Sequence, residues 1–244
     1  ARIATIVAAT FAAAPPVTPS RAPATAANTA EEVPTQPAGT PMPPRRIEFL
    51  PDATTAMLHG VIGPAEVQTF VLRADLGQPL LVEVASAGND VRLALRTEGG
   101  TSILSPDSEQ TGWRGAAPDT EDYYVGVQGG SAARAFTLSV KKPRKIRFKE
   151  GAASARILDR AVGGASMAYS VLAIKGEELD LGLSGVGSKA ALGVTGYVDG
   201  KVYLDAQDGE TSFSMEVPLT QDYIVEVVPS GGKTLSFALG IESQ

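Results

Sequence analysis

From residue 45 onward, apolar and polar positions alternate with a period of two, in short stretches separated by turn residues. In one such stretch the apolar side chains of Leu80, Val82 and Val84 fall on the same face of an extended segment. The 26 glycines and 17 prolines supply the turns, and no stretch has a helical period bounded by capping residues. The pattern predicts an all-β protein of antiparallel, jelly-roll-like β-sandwich domains.

The alternating pattern occurs twice along the chain. Residues 122–127 read DYYVGV and residues 222–227 read DYIVEV, and an offset of 99 or 100 places apolar on apolar and turn on turn in both halves. We therefore expect two tandem β-sandwiches, domain 1 at 45–142 and domain 2 at 143–244. Because only three residues separate the two copies, the sandwiches should lie close together.

Individual positions can be paired in the same way. Trp113 corresponds to Phe213, and the closing strand at 136–140 corresponds to 235–239. These matches fall on inward-facing apolar positions, so they indicate a fold used twice and not a duplicated catalytic site.

The first 44 residues have a different character. Residues 1–14 carry an early arginine and then an apolar stretch, which is typical of a secretory signal, and 24–26 offers a small-x-small cleavage site. The alternative is an ordered arm whose alternating residues, from Ile3 to Val7, add a strand to a neighbouring subunit's sheet. Residues 15–44 are mostly Pro, Ala and Thr, which predicts a stiff, extended linker.

Composition limits the classes of function. The chain has no cysteine, which excludes disulfides, thiol catalysis and cysteine-based metal sites. No apolar run reaches the roughly 18 residues of an ordinary membrane-spanning helix. The net charge of −6 argues against nucleic acid as a partner, because phosphate binding needs a basic surface. With a signal-like segment and a linker, the expected location is the periplasm or the cell surface.

Three stretches resemble a known family. Residues 148–155 have the form F-x-x-G-x-x-S-A, residues 74–78 have the form A-x-x-G-Q before an alternating strand, and the repeated D-Y-[YI]-V-x-V strand completes the series. Together they resemble the bacterial pre-peptidase C-terminal (PPC)-like domains, and among these the periplasmic inhibitors of g-type lysozyme. The resemblance covers both halves. It implies β-sandwich domains and a binding role, of which lysozyme inhibition is one form.

Catalytic signals are weak. His59 is the only histidine, so any Ser-His-Asp triad or histidine-based metal centre would depend on it, and its equivalent in the second copy is Leu158. Gly182–Val186 lacks the correctly spaced second glycine of a nucleophile elbow, and Gly232–Thr234 lacks the first glycine of a phosphate loop and is interpreted as a hairpin turn. We therefore expect that the protein is not an enzyme. The alternative is a glycoside hydrolase that uses a pair of carboxylates.

Four residues are predicted to take part in binding. Trp113 is either core at the sandwich edge or a platform for a sugar ring, and Tyr124 should face outward, as should its equivalent Ile224. Asp119 and Glu121 lie in an acidic cluster just before the strand that carries Tyr124.

A second acidic cluster is the candidate metal site. Asp205, Asp208 and Glu210 surround a glycine in a loop, and calcium prefers such hard oxygen ligands. Some domains of the resembled family bind calcium. The alternative is that these acids are solvated turn residues, so calcium is the one cofactor considered.

Two functions follow from these observations. The first is an exported, non-catalytic binding protein of the bacterial cell envelope that recognises a protein or a polysaccharide. The second is a structural subunit of a surface filament or a larger envelope assembly, with the N-terminal arm packing on a neighbouring subunit.

Overall fold

The computed structural model describes residues 43–88 and 90–244. These residues form an all-β protein, which confirms the predicted fold class; the helical parts within them are three short 3₁₀ turns, at Pro106–Ser108, Gly187–Lys189 and Ala206–Asp208. Within the described residues, no helix is long and apolar enough to cross a membrane. The predicted signal-like segment 1–14 and all but the last two residues of the linker 15–44 lie outside the described residues.

The strands of the first half form two sheets. Sheet A has the order β1-β3-β8-β5-β6 and sheet B the order β2-β9-β4-β7. The strands are β1 (Arg45–Arg46), β2 (Thr55–Ile62), β3 (Val67–Ala74), β4 (Pro79–Ser86), β5 (Arg92–Thr97), β6 (Ser102–Leu104), β7 (Gly112–Ala116), β8 (Glu121–Gln128) and β9 (Arg134–Lys141).

The second half repeats this arrangement. Sheet C has the order β10-β12-β17-β14-β15 and sheet D the order β11-β18-β13-β16. The strands are β10 (Arg144–Ile146), β11 (Ser154–Ala161), β12 (Met167–Ala173), β13 (Glu178–Ser184), β14 (Ala190–Gly196), β15 (Val202–Leu204), β16 (Ser212–Glu216), β17 (Gln221–Pro229) and β18 (Leu235–Ser243).

Neighbouring strands pair antiparallel, with one exception in each half. The short edge strands β1 and β10 run parallel to β3 and β12. After β1 in sheet A the chain forms β2 in sheet B and then returns to sheet A as β3; β10, β11 and β12 follow the same path in sheets C and D. The chain direction reverses twice on this path, so β3 and β12 run parallel to the edge strands beside them. This detail departs from the purely antiparallel sheets that the alternation predicts.

Each pair of sheets encloses its own apolar core. Leu80, Val82 and Val84 are buried in the first core, as the alternation predicts. Each core contains an edge-to-face aromatic pair at the equivalent place. The ring centres of Phe70 and Phe136 are 6.2 Å apart in the first core, and those of Tyr169 and Phe237 are 6.4 Å apart in the second.

The predicted pairing of the closing strands is wrong by two residues. In the hydrogen-bond register, Leu138 faces Val84 and Leu239 faces Leu183, so the offset between β9 and β18 is 101. The offset is 99 at β13 and 100 at β16 and β17, because the second half gains one residue before β16 and another between β17 and β18. The loop 230–234 also joins strands of different sheets, so it is not the predicted hairpin turn.

The repeated tyrosines have a specific structural role. Tyr123 and Tyr223 are fully buried, and each hydroxyl donates a 2.8 Å hydrogen bond to the carbonyl oxygen four residues earlier, at Asp119 and Leu219. This arrangement is the tyrosine corner found in other β-sandwiches. It fixes the turn that leads into β8 or β17, and it explains why the repeat contains a tyrosine at this position.

A third apolar cluster lies between the two sandwiches. It contains Leu81 from sheet B together with Ala168 and Ile224 from sheet C, and Tyr197 packs against it. Ile224 points away from its own core, as predicted, but it is 0% exposed because the first sandwich covers it. The described residues belong to one compact unit, so the division into domains at 142/143 stays a prediction.

Candidate functional site

The outer faces of sheets A and C are structurally equivalent, but they have different surroundings. Tyr124 on β8 and Ile224 on β17 occupy equivalent positions. Tyr124 pairs with Val71 in the register, and Ile224 pairs with Ser170, the equivalent of Val71. Ile224 and Ala168 are buried against the first sandwich. Tyr124 is half-buried and does not belong to the apolar cluster between the sandwiches.

Polar contacts strengthen the covered face of sheet C. Thr54 accepts a hydrogen bond from the backbone N–H of Ala168 through its Oγ1, and Thr55 Oγ1 donates to the carbonyl oxygen of Ser166 at 2.6 Å. Lys141 forms a close ion pair with Glu226, with both side chains mostly buried. A single sheet face thus binds a second sandwich through a small apolar centre, hydrogen bonds between threonine hydroxyls and the backbone, and an ion pair.

Within the described residues, four buried polar side-chain atoms lack hydrogen bonds: Ser170 Oγ, Tyr197 Oη, Gln221 Nε2 and Asp222 Oδ1. Burial is the main cause that raises the pKa of Tyr197 to about 12, and its hydroxyl lies near the backbone of Leu80. All four atoms belong to sheet C or to the loop that follows β14.

The outer face of sheet A is rich in arginine. One row across the sheet runs from Arg46 through Val71 and Tyr124 to Arg96, and Arg73 lies in the next row, opposite Asp122. We call Arg46, Val71, Arg73, Arg96 and Tyr124 the Arg–Tyr face. Its three arginines are exposed, so this face is locally basic on a chain with a net charge of −6.

Local interactions hold the Arg–Tyr face in place. The guanidinium of Arg96 lies 4.2 Å from the centre of the Tyr124 ring, within the range of a cation–π contact. Arg46 Nη2 donates to Asp122 Oδ2 at 2.6 Å. This hydrogen bond lowers the pKa of Asp122, and the positive charges of Arg46 and Arg73 add to the effect. Asp122 thus remains ionised and orients Arg46, whereas Arg73 and Arg96 have no ion-pair partner among the described residues.

The other predicted binding residues lie away from the Arg–Tyr face. Trp113 on β7 faces Val82 in the register, is half-buried and packs against the first core, with its ring over Gly115. The backbone of Asp119 forms the tyrosine corner with Tyr123, and Glu121 is half-buried at the start of β8. Only Tyr124, among the four residues predicted for binding, belongs to this face.

The predicted calcium site is not assembled in the described residues. They contain no group of three or more His, Cys, Asp or Glu side chains placed to hold a metal ion. Asp205 instead caps the 3₁₀ turn that follows it, where its Oδ1 accepts a 2.9 Å hydrogen bond from the backbone N–H of Gln207. Asp205, Asp208 and Glu210 are all exposed, as expected for solvated turn residues.

The described residues bring together no nucleophile, base and orienting acid. His59 is exposed on β2, and the partner that the structure gives its ring is Thr137, with Nδ1 and Oγ1 3.0 Å apart. A shallow concavity of about 730 Å³ on the outer face of sheet D is lined by residues such as Arg156, Leu158 and Ser184. It contains no arrangement for acid–base or nucleophilic chemistry.

Sequence reasoning missed the arginines of the Arg–Tyr face. The signal was present in the alternation: Arg73 and Val71 share the outward positions of β3, and Arg96 and Ala94 share those of β5. The overall acidic charge hid this local basic surface.

Comparison with known proteins finds matches among solved structures. No protein-family model and no curated protein matches the sequence. Among solved structures, the periplasmic g-type lysozyme inhibitor PliG of Aeromonas hydrophila is 19% identical, with a TM-score of 0.38, and the match covers 42% of this chain and 96% of that one. PliG of Salmonella Typhimurium is also 19% identical, with a TM-score of 0.34 and coverage of 42% and 98%.

A PliG mutant from Escherichia coli gives a TM-score of 0.33 at 19% identity, covering 42% of this chain and 97% of that one. In each case the matched part of this chain is about as long as one sandwich. At this level of identity and TM-score, the likenesses do not assign a function, so the proposal rests on the geometry of the Arg–Tyr face.

Proposed function

We propose that the protein is an exported, non-catalytic binding protein of the bacterial cell envelope, and that it binds an acidic partner through the Arg–Tyr face. The observation that carries the proposal is the contrast between two equivalent faces. On sheet C the face is buried against another sandwich, and on sheet A the same face carries exposed arginines around a half-buried tyrosine.

The chemistry of the Arg–Tyr face supports a binding role. Arginine and tyrosine are enriched at protein interfaces and at their energetic hot spots. The Tyr124 ring already holds Arg96 in place, so part of the cost of ordering that side chain on binding is met before the partner arrives. Exposed guanidinium groups favour carboxylate or phosphate on the partner.

Location in the periplasm or at the cell surface is the part of the proposal that rests on the sequence. The signal-like segment 1–14, the linker 15–44 and the absence of cysteine fit a protein exported and held away from an anchor. Inhibition of a g-type lysozyme is the specific form that the sequence resemblance to PPC-like inhibitors implies. The second function, a subunit of a surface assembly, is favoured by the fact that the equivalent face on sheet C already binds a copy of the same fold.

The test is binding of the full chain to two immobilised probes, a g-type lysozyme and polygalacturonate, which is a polyanionic polysaccharide. We expect binding to at least one probe, and we expect Arg96→Glu to weaken it at least about tenfold, equal to about 1.4 kcal/mol. Lys233→Glu makes the same change of charge in the exposed loop 230–234 and should leave binding unchanged. Binding that withstands Arg96→Glu, or failure to bind either probe, would count against the proposal.

A further inference from the structure

We propose that the partner of the Arg–Tyr face is a second copy of this chain, which docks the outer face of its sheet D in the arrangement that already joins the two sandwiches. This inference rests on the proposed function, since it requires the Arg–Tyr face to be a contact surface. It adds the identity of the partner and the surface that the partner presents.

The internal contact defines both surfaces. Sheet B presents Thr55, Leu81 and Lys141, which are neighbours in the register because Lys141 lies opposite both of the other two. Sheet C receives them with Ile224 and Glu226 at its centre. One sandwich therefore offers the end of a four-stranded sheet, and the other accepts it on the outer face of a five-stranded sheet.

Sheet D carries the equivalents of the docking residues. Glu242 lies opposite both Ser154 and Asp180, so these three residues occupy the positions of Lys141, Thr55 and Leu81. Glu242 is exposed within the described residues, whereas Lys141 is half-buried. The second sandwich thus presents the docking geometry without a described neighbour to fill it.

The charged side chains at the docking positions of the two free surfaces are opposite in sign, and a basic residue, Arg156, lies one row away on the outer face of sheet D. Near Asp180 and Glu242, the outer face of sheet D also carries Glu178 and Glu216, which lie opposite each other in the register. We call Glu178, Asp180, Glu216 and Glu242 the acidic end. None of these four carboxylates forms an ion pair within residues 43–88 and 90–244.

The charges on both free surfaces differ from those of the internal contact. Internally, Lys141 on the docking sheet meets Glu226 on the receiving face. On the free surfaces, Glu242 replaces the lysine, Gly126 replaces the glutamate, and exposed arginines flank the receiving position. In the internal contact Leu81 packs against Ile224. In the proposed contact Asp180 takes the position of Leu81, and it would approach Tyr124, which takes the position of Ile224, and the neighbouring Arg96. Both free surfaces are thus matched to each other and mismatched to a copy of themselves.

This contact joins two different surfaces, so it is head-to-tail. Each added copy leaves one Arg–Tyr face and one acidic end unoccupied, and the chain of copies extends unless the rotation between them closes a ring. Because the contact depends on exposed charges, it should weaken as the salt concentration rises.

The test is sedimentation of the full chain over a range of concentrations at low salt. We expect the average mass to increase with concentration for the natural chain and to decrease when salt is added. Arg96→Glu and Asp180→Arg should each reduce association at least about tenfold, because like charges then face each other. Lys233→Glu is the control and should associate like the natural chain.

Charge exchange separates this contact from a loss of folding. A mixture of the Arg96→Glu chain and the Asp180→Arg chain should associate again, and so should a single chain that carries both substitutions. A variant that simply failed to fold would not be rescued in this way.

Three results would overturn the inference: a natural chain that stays monomeric at high concentration, association that withstands both single reversals, or association that disappears only when residues 1–42 are removed. These failures are distinguishable from failure of the proposed function. If the chain is monomeric but Arg96→Glu still weakens binding to lysozyme or polygalacturonate, the Arg–Tyr face binds a different partner and only the inference fails.

Discussion

Ile224→Ala should destabilise the protein by about 2–4 kcal/mol, whereas Tyr124→Ala at the equivalent position should cost about 1 kcal/mol or less. Ile224 is 0% exposed and packs with Leu81, Ala168 and Tyr197 between the sandwiches. Its replacement removes three carbons, worth about 0.8 kcal/mol each, and leaves a cavity whose cost adds to this loss. Tyr124 is half-buried, so its truncation mainly removes the cation–π contact with Arg96.

The assay is urea unfolding of both variants and the natural chain, followed by thermal melting. For a chain of this size, the Ile224→Ala loss corresponds to a decrease in Tm of about 5–15 °C. Because the lost contacts join the sandwiches, unfolding should also change from one transition towards two. If Ile224→Ala costs no more than Tyr124→Ala, the account of the covered face is wrong.

Three further outcomes are expected. Tyr123→Phe should destabilise the protein by about 1 kcal/mol, because it removes the hydroxyl that donates to the carbonyl oxygen of Asp119 and accepts from the backbone N–H of Asp119 at 3.1 Å; an unchanged free energy of unfolding in urea would argue against this role. Burial raises the pKa of Tyr197 from its ordinary value of 10.0 to about 12, so the stability that its neutral form contributes is complete below pH 10 and is lost as the pH rises from 10 to about 12. Tyr197→Phe should therefore lose less stability than the natural chain over this interval, by at most about 2 kcal/mol, and identical alkaline profiles would contradict the assignment. Millimolar calcium should leave the Tm unchanged, since the exposed acids at 205–210 form no metal-binding group; an increase in Tm that chelation reverses would show the opposite.

Period-two alternation was enough to predict the fold class and most of both cores. Tyr123, Val125 and Val127 are all fully buried, as their positions in DYYVGV predict. The hydrogen bond that makes the tyrosine a corner was not predictable from alternation, because it depends on the turn four residues earlier and not on the strand itself. Composition likewise could not show that β1 and β10 pair in parallel.

Ile224 shows where the sequence is ambiguous. Alternation correctly assigns it to the outward side of β17, but whether an outward residue meets water or another sandwich depends on how the two copies pack. The signal in the sequence that Ile224 is covered was its side chain, since an isoleucine stands where the first copy has a tyrosine. Similarly, net charge is a sum over the chain, so a value of −6 does not reveal three arginines on one sheet face.

The acidic clusters illustrate the opposite error. Nearness in sequence suggested binding residues at Asp119 and Glu121 and a calcium site at 205–210. The Asp205 carboxylate instead caps a 3₁₀ turn, and Asp119 takes part in the tyrosine corner through its backbone. Acids in turns are bound to nearby backbone N–H groups more often than to ions, because those groups are already within reach.

Oxidative footprinting of Tyr124 in the full chain would show directly whether the Arg–Tyr face is a contact surface. Labelling would be compared between the dilute chain, the concentrated chain and the chain with saturating g-type lysozyme, with Tyr203 on β15 as an internal reference. We expect Tyr124 to become protected in at least one bound state, while Tyr203 is labelled to the same extent throughout. Equal labelling of Tyr124 in a state that is demonstrably bound would show that the contact surface lies elsewhere on the molecule.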